Sequence, residues 1–300
     1  MKTGTGIIIL ASLVFVACGQ RTGKEKQPES VKTESIAATI YINPDLTEAW
    51  QSPDSLDVPE SVLAIPGADY LVVSNINGKP LDFDHNGYIS KLSSTGKIRS
   101  LHWVDGLNAP KGLAVAGEML YVSDIRDLVA INLTDGQIVH RYTAADARFL
   151  NDVSVDTQGN VYVSDMNGSA IYRLKDTVFS PWLKDEKLAG VNGLLVYNGA
   201  LYAGTKNQIL KIDTGTKRIR VFIDNTGPID GLVHYRDQQF IISDWSGHVY
   251  LVEPGKERVK LLDTTPAKVN AADISYDADR RLLLVPTFSD NRIVAYEVRI

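Results

Sequence analysis

The chain has 300 residues, of which 44% are hydrophobic, and its formal net charge is −5. This composition argues against a disordered chain and predicts one large domain, or two small ones, with a sizeable hydrophobic core. Lys and Arg are scattered along the sequence rather than clustered. The chain therefore lacks the basic surface that a polyanion requires, and we do not expect nucleic acid as a partner.

The first twenty residues, MKTGTGIIILASLVFVACGQ, have the pattern of an export signal. Lys2 precedes an apolar run from Ile7 to Val16 that is too short to span a membrane. The sequence FVAC resembles a bacterial lipobox, in which the cysteine becomes the lipid-carrying first residue of the mature protein. The alternative is ordinary cleavage nearby, with Cys18 as a spare thiol. Because Cys18 is the only cysteine, an intramolecular disulfide is excluded.

We therefore expect three regions along the chain. Residues 1–17 are predicted to be a lipoprotein signal peptide, and the polar, charged residues 18–37 are predicted to form a flexible tether. Residues 38–300 are predicted to form the folded domain. The lipobox resemblance implies an exported protein that is lipid-anchored to a bacterial membrane, on its periplasmic or cell-surface side.

Six copies of one pattern occupy the rest of the chain. Each copy has a short alternating strand, a tight turn and a second β-rich run, as in FLNDVSVDTQGNVYVSD from Phe149 to Asp165. The copies recur at intervals of 38 to 51 residues, and no helix of twelve residues fits the pattern. Such a period is typical of a propeller or a helical array, and the strand pattern favours the propeller. The equivalent positions in the six copies are Glu60, Lys111, Asn151, Asn192, Asp230 and Ala272.

Each pair of strands is followed by a third strand and then by a Gly-rich turn that leads into a fourth. The sequence therefore predicts an all-β fold, a six-bladed β-propeller with four antiparallel strands per blade. The sixth copy reaches Ile300 with only three strands. We predict that LTEAW, Leu46 to Trp50, supplies the missing fourth strand, because this would pair the two ends of the chain in one blade and remove an exposed sheet edge.

The six equivalent positions are expected to form a ring at one mouth of the central channel, because the first strand of each propeller blade lines that channel. Glu60 and Asp230 offer carboxylates, and Asn151 and Asn192 offer amide oxygens. Oxygen ligands alone suit calcium or another hard divalent cation. Zinc is disfavoured because no His or Cys occupies any of the six positions. The alternative is that these residues are ordinary turn residues before glycine.

The phrases NDVSVDTQGNVYVSD, VNGLLV and PIDGLVHY resemble the calcium-dependent six-bladed propellers that include gluconolactonase, regucalcin and luciferin-regenerating enzyme. The similarity covers nearly the whole mature chain. It implies that Glu60, Asn151, Asn192 and Asp230 hold a catalytic calcium. It also implies hydrolysis of a lactone or related cyclic ester, with Asp230 as metal ligand and general base. The chain departs from the family pattern at Phe149, where an arginine is usual.

The alternative function is a non-catalytic, membrane-tethered propeller that binds a small ligand or a protein partner at the same mouth. Other features leave choices open. Lys111 could be a substrate contact or an internal counterion. The acidic stretch DFDHNG, Asp82 to Gly87, matches the start of an EF-hand loop but has Ser93 at the twelfth position, so it is either a second calcium site or a solvated loop. Trp245 could form a pocket wall, and His248 could be an acid or base nearby.

Overall fold

The computed structural model describes residues 39–300, so the predicted signal peptide, Cys18 and the tether lie outside the described residues. Residues Ala38–Ile300 form one compact unit. Its strands make six antiparallel sheets, which confirms the predicted six-bladed β-propeller. Within residues 39–300, none of the helices has the length and apolar character needed to cross a membrane.

Each sheet is one blade, and in blades 1 to 4 its strands follow each other in the chain. Among the described residues, three short 3₁₀ turns lie in the loops. Blades 1 to 3 contain β3 to β14: Pro59–Ala64, Tyr70–Asn75, Gly87–Ser93 and Ile98–Leu107; Pro110–Ala116, Met119–Asp124, Asp127–Asn132 and Ile138–Thr143; Leu150–Val155, Val161–Asp165, Ala170–Lys175 and Val178–Lys184. Blades 4 to 6 contain β15 to β25: Leu194–Tyr197, Ala200–Gly204, Gln208–Asp213 and Ile219–Asp224; Leu232–Arg236, Gln239–Asp244, His248–Val252 and Val259–Asp263; Ser275–Asp277, Leu282–Pro286 and Ile293–Val298. The 3₁₀ turns are Glu186–Leu188, Thr265–Ala267 and Phe288–Asp290.

The two ends of the domain meet in blade 6, as the sequence predicts. Strand β2 (Leu46–Gln51) pairs antiparallel with β25 and becomes the fourth strand of that blade. A shorter strand, β1 (Tyr41–Ile42), pairs with β22 and adds a fifth strand to blade 5. The sequence did not predict this addition, because two residues are too few to show an alternating pattern.

The hydrophobic core lies between neighbouring blades. One cluster packs Ile171 of blade 3 against Leu194 and Leu201 of blade 4, and another packs Val72 of blade 1 against Leu120 of blade 2. Each blade therefore buries both faces of its sheet. This explains why the second strands read as continuous apolar runs, whereas a half-exposed strand would alternate between apolar and polar residues.

The first strands of the six blades surround the central channel, where they line a cavity of about 270 Å³. Close to the axis they approach each other so tightly that some positions accept only glycine. A Cβ atom on Gly112 would lie 2.6 Å from Asp152 Cα, and one on Gly231 would lie 2.4 Å from the backbone nitrogen of Ile274. Real Cβ contacts essentially never come this close. The glycines thus set the spacing of the inner strands.

We expect Gly112→Ala to lower the free energy of unfolding by roughly 1–3 kcal/mol, because its new methyl group would overlap backbone atoms that cannot move independently. The matched control is Gly215→Ala, since a Cβ there would meet only Asp213 Oδ1 at 3.6 Å. Urea denaturation of both variants measures the difference. Equal stability of the two variants would contradict the close packing at the axis.

Candidate functional site

Buried serines near the end of the second strands hold the inner strands in place. Ser164 Oγ accepts a hydrogen bond from the backbone nitrogen of Asp152 at 2.9 Å. Ser243 Oγ donates to the carbonyl oxygen of Ala272 at 2.6 Å and accepts from the backbone nitrogen of Gly231 at 2.8 Å. Ser123 Oγ donates to the carbonyl oxygen of Asn151 in the next blade. These bonds fix the backbone from which the ring side chains project.

An aspartate directly after some of these serines fixes the loop that leads into the next ring position. Asp124 accepts hydrogen bonds from the backbone nitrogens of Asn108 and Ala109, just before Lys111. Asp165 accepts from the backbone nitrogen of Phe149 at 2.9 Å, two residues before Asn151. The repeated Ser-Asp dipeptide therefore has a structural role: its side chains hydrogen-bond to the backbone that positions the ring, and we assign them no part in a reaction.

Five of the six predicted ring positions line one cavity of about 390 Å³ at the channel mouth. Each of these five side chains is buried. Ala272 is also buried but does not line the cavity, which corrects the expectation of a ring with six members. An alanine side chain is too short to reach the space that its neighbours share. The five polar residues, here called the polar floor, are Glu60, Lys111, Asn151, Asn192 and Asp230.

The polar floor contains two oxygens that lack a hydrogen-bond partner. Asn192 Nδ2 donates to Asp230 Oδ1 at 2.6 Å, which directs the amide oxygen of Asn192 elsewhere. That oxygen, Asn192 Oδ1, and Glu60 Oε2 are both buried without a partner among the described residues. Unpaired buried oxygens are uncommon because burial removes the water that would otherwise bind them, and leaving them without a partner costs free energy. Both atoms belong to residues that the sequence predicts as metal ligands.

The channel also concentrates buried negative charge. Burial raises the pKa of Asp230 to about 7, and the charge of Asp244 adds to the rise. Burial likewise raises the pKa of Asp152, one residue further along its strand than Asn151, to about 7. The pKa values of Glu60 and Asp273 lie well above their usual range, first through burial and then through the neighbouring carboxyl groups. Burial therefore leaves these groups incompletely ionised at neutral pH, and a nearby cation would favour the ionised form of each.

Lys111 supplies one such cation. Its ammonium donates to the carbonyl oxygen of Ala109 at 2.7 Å and lies 4.8 Å from the centre of the Phe149 ring. Burial lowers the pKa of Lys111 to about 8, while the charges of Glu60 and Asp124 act in the opposite direction. The charges of Lys111 and Glu60 each favour the ionised form of the other, so Lys111 acts as an internal counterion of Glu60, and it also lines the cavity. One lysine leaves most of the acidic charge uncompensated.

The ligand set available for a cation is therefore mixed. Within residues 39–300, no group of three or more His, Cys, Asp or Glu side chains is arranged to hold a metal ion. The polar floor brings together two carboxyl groups, Glu60 and Asp230, and two amides, Asn151 and Asn192. Such a set suits a hard cation with oxygen ligands and does not suit zinc.

The remaining wall of the cavity is apolar, and most of it was not predicted from the sequence. Trp245, a predicted candidate for a pocket wall, does line the cavity. Four of the lining residues share one register, one or two positions after the end of a second strand. This shared position is the sequence signal by which they could have been found together, and they are Ile76, Met166, Trp245 and Phe288. Phe149 and Ile229 approach from the loops just before ring positions. We call these six residues the apolar collar: Ile76, Phe149, Met166, Ile229, Trp245 and Phe288.

Two other predicted features lie apart from this cavity. In the DFDHNG loop, Asn86 Nδ2 donates to Asp84 Oδ2 at 2.9 Å, and both side chains are exposed. A second calcium in this loop stays a prediction. His248 lies 2.9 Å from Asp244 through Nδ1 and 3.6 Å from Asp263 through Nε2, and it is not part of the cavity lining. Its contacts are those of a residue that ties strands β20, β21 and β22 together.

No protein-family model and no curated protein matches the sequence. Among solved structures, the chain is similar to a catalytically inactive histidine-to-alanine variant of virginiamycin B lyase from Staphylococcus aureus, solved with quinupristin. The TM-score is 0.59 at 13% identity, and the match covers 87% of this chain and 100% of that chain. A chain of a nidogen/laminin complex matches with a TM-score of 0.58 at 18% identity, over 70% of this chain and 86% of that chain. At these identities the similarity shows the propeller fold alone.

The buried acids make the stability of the metal-free protein depend on pH. A carboxyl whose pKa is about 7 when folded and 3.8 when unfolded stabilises the fold below about pH 3.8, and this contribution is lost as the pH rises through 7. We therefore expect the free energy of unfolding of chelator-treated protein to fall between pH 5 and pH 8. Urea denaturation across this range measures the slope.

The variant Asp152→Asn should flatten this slope, because an amide does not titrate. The matched control is Asp69→Asn, an exposed carboxyl whose pKa is lowered by Arg99 and which therefore does not titrate between pH 5 and pH 8. If stability rises with pH in the chelator-treated protein, or if Asp152→Asn leaves the slope unchanged, the buried-charge interpretation is wrong.

Proposed function

We propose that the protein is a calcium-dependent hydrolase of a lactone or related cyclic ester. The ion would be held at the channel mouth by Glu60, Asn151, Asn192 and Asp230. The observation that carries the proposal is the pair of buried, unpartnered oxygens on Glu60 and Asn192, which share a cavity with Asp230. The sequence resemblance to calcium-dependent propellers supports the same four residues.

The donor set favours calcium, and another hard divalent cation would fit the same oxygens. Two carboxylates neutralise the charge of one divalent ion, and the amide oxygens complete the set without adding charge. When bound, calcium would act as a Lewis acid towards the ester carbonyl and would stabilise the negative charge that develops on its oxygen.

We assign the remaining catalytic roles, proton transfer, charge compensation and exclusion of water, to residues of the chain. Asn192 already occupies Oδ1 of Asp230, so we assign proton transfer from the attacking water to Asp230 Oδ2. Lys111 would favour the ionised form of Glu60, whose pKa is otherwise raised by burial and by the charge of Asp230. The apolar collar excludes bulk water and thereby strengthens the electrostatic interactions on the polar floor.

A second candidate function is a propeller that binds a ligand without catalysis. The observation that favours it is the lining of the cavity, which combines few polar groups with many apolar ones, as binding pockets for small molecules commonly do. The solved propellers similar to this chain include a lyase and a chain of a nidogen/laminin complex. The fold therefore accommodates both classes of function.

We also propose that the domain is anchored through a lipid on Cys18 and separated from the membrane by residues 18–37. Metabolic labelling with a fatty-acid analogue tests this directly. The wild-type protein should carry the label, and Cys18→Ser should not. A Cys18→Ser protein that is labelled equally would contradict the anchor.

Calorimetry on chelator-treated protein tests the metal site. We expect calcium to bind, and we expect Asn151→Ala and Asp230→Ala to weaken its binding by at least about tenfold, because each removes an oxygen ligand. Hydrolysis across a panel of lactones should require calcium and should fall with the same variants. The matched control is Asp84→Ala in the DFDHNG loop, which should leave this binding event unchanged.

Unchanged calcium affinity in both Asn151→Ala and Asp230→Ala would contradict the site. Calcium binding that depends on these residues without calcium-dependent hydrolysis of any ester would favour the ligand-binding function.

A further inference from the structure

The cavity at the channel mouth separates its polar and apolar groups sharply. All five of its polar or charged lining residues belong to the polar floor, which projects from the starts of the inner strands. The wall consists of the apolar collar and two prolines, and it offers hardly any hydrogen-bond donor or acceptor beyond the indole nitrogen of Trp245. A ligand that fills this cavity must therefore have a polar end and an apolar body.

We propose that the substrate is a lactone that carries an alkyl or aryl substituent, and that polyhydroxylated lactones are rejected. This inference rests on the proposed hydrolase function. The ring ester faces the polar floor, where Asn151 and Asp230 lie, and the substituent packs against the collar residues Met166, Trp245 and Phe288. Substrate choice is thus set by the collar, whereas the chemistry belongs to the floor.

The collar selects against hydroxyl groups for a physical reason. A hydroxyl that leaves water without finding a new hydrogen-bond partner costs about a factor of ten or more in affinity. Apart from the indole nitrogen of Trp245, the collar side chains offer hardly any such partner, and the floor groups are engaged with the reacting ester. A sugar-like lactone with several hydroxyl groups therefore loses affinity at each of them. An alkyl substituent instead gains affinity from burial against the same surface.

The size of the cavity agrees with a substituted ring. Its volume of about 390 Å³ falls within the range of pockets that enclose most of a small organic ligand. The floor needs only the ester group, which leaves the part of the cavity beside the collar for a substituent. An unsubstituted five-membered lactone would leave that space to water.

Two aromatic residues of the collar form its outer edge. The rings of Trp245 and Phe288 meet edge to face, with their centroids 5.5 Å apart. Trp245 is 52% exposed, and Asn270 Nδ2 donates to its carbonyl oxygen at 2.9 Å, which fixes its loop. Phe288 has φ of 49°, a left-handed conformation that aromatic residues rarely adopt.

A homologous series of ligands tests the inference on the calcium-loaded full-length protein. Turnover is measured with γ-butyrolactone, γ-hexalactone, γ-octalactone and γ-decalactone, and with glucono-δ-lactone as the polyhydroxylated comparison. Binding is measured separately with 5-alkyl-2-pyrrolidinones, the amide analogues that resist hydrolysis. We expect affinity and kcat/KM to rise about three- to fourfold for each added methylene until the collar is filled. Glucono-δ-lactone should be hydrolysed at least about a hundredfold less efficiently than the best alkyl lactone.

The variant Trp245→Ala should flatten the dependence on chain length, because it removes the largest collar side chain. Because Trp245 is half-exposed, we expect the variant to fold. Calcium calorimetry on the variant is the control that its metal site is intact. The matched control is Val178→Ala, an exposed apolar residue of β14 outside the cavity, which should leave the dependence unchanged.

The outcomes separate the two proposals. Hydrolysis of glucono-δ-lactone at or above the rate of the alkyl lactones would overturn the inference and leave the hydrolase standing. Affinity for the pyrrolidinones that rises with chain length, without hydrolysis of any lactone, would overturn the hydrolase and support the collar as a binding surface for apolar cyclic ligands. Affinity that is independent of chain length, or unaffected by Trp245→Ala, would overturn the inference.

Discussion

Four carboxyl groups lie buried close to the propeller axis, and this burial is the constraint on which the rest of the site depends. Glu60, Asp152, Asp230 and Asp273 all have a raised pKa, and Lys111 compensates only part of their charge. Each carboxyl must therefore take up a proton or share a cation. The two unpartnered oxygens of the polar floor favour a cation at the mouth. The acids are costly to the fold, and this cost is a reason to assign them a function.

The six-fold sequence repeat that forms the propeller also positions these carboxyl groups near its axis. Glycines such as Gly112 let the inner strands approach, and serines such as Ser243 tie some blades to the inner strand of the next. Apolar clusters between the blades stabilise the fold and so offset the destabilising effect of the buried charges. The loops that follow the second strands then add the apolar collar. The polar floor thus comes from the inner strands and the apolar collar mostly from loops, so the loops can vary in sequence while the floor stays fixed.

Much of this could be predicted from the sequence. Strand alternation and a recurring period gave the propeller, and the shared register gave the positions of Glu60, Asn151, Asn192 and Asp230. Strand β1 was missed because it has two residues, and the role of Lys111 stayed open because it depends on which side chains face it across the channel. The collar was missed because its residues lie outside the strands, where the direction of a side chain depends on turn geometry rather than on strand alternation. Four of them share one position after the second strands, but strand alternation does not show that this position faces the cavity.

The most direct test of the central claim is a crystal structure of the protein with calcium. The claim predicts one ion at the channel mouth, with oxygens of Glu60, Asn151, Asn192 and Asp230 at about 2.3–2.6 Å. It also predicts that Glu60 Oε2 and Asn192 Oδ1, the two unpartnered oxygens, are among these ligands. A crystal grown in saturating calcium that has no ion there, with Glu60 and Asp230 protonated and hydrogen-bonded instead, would contradict it.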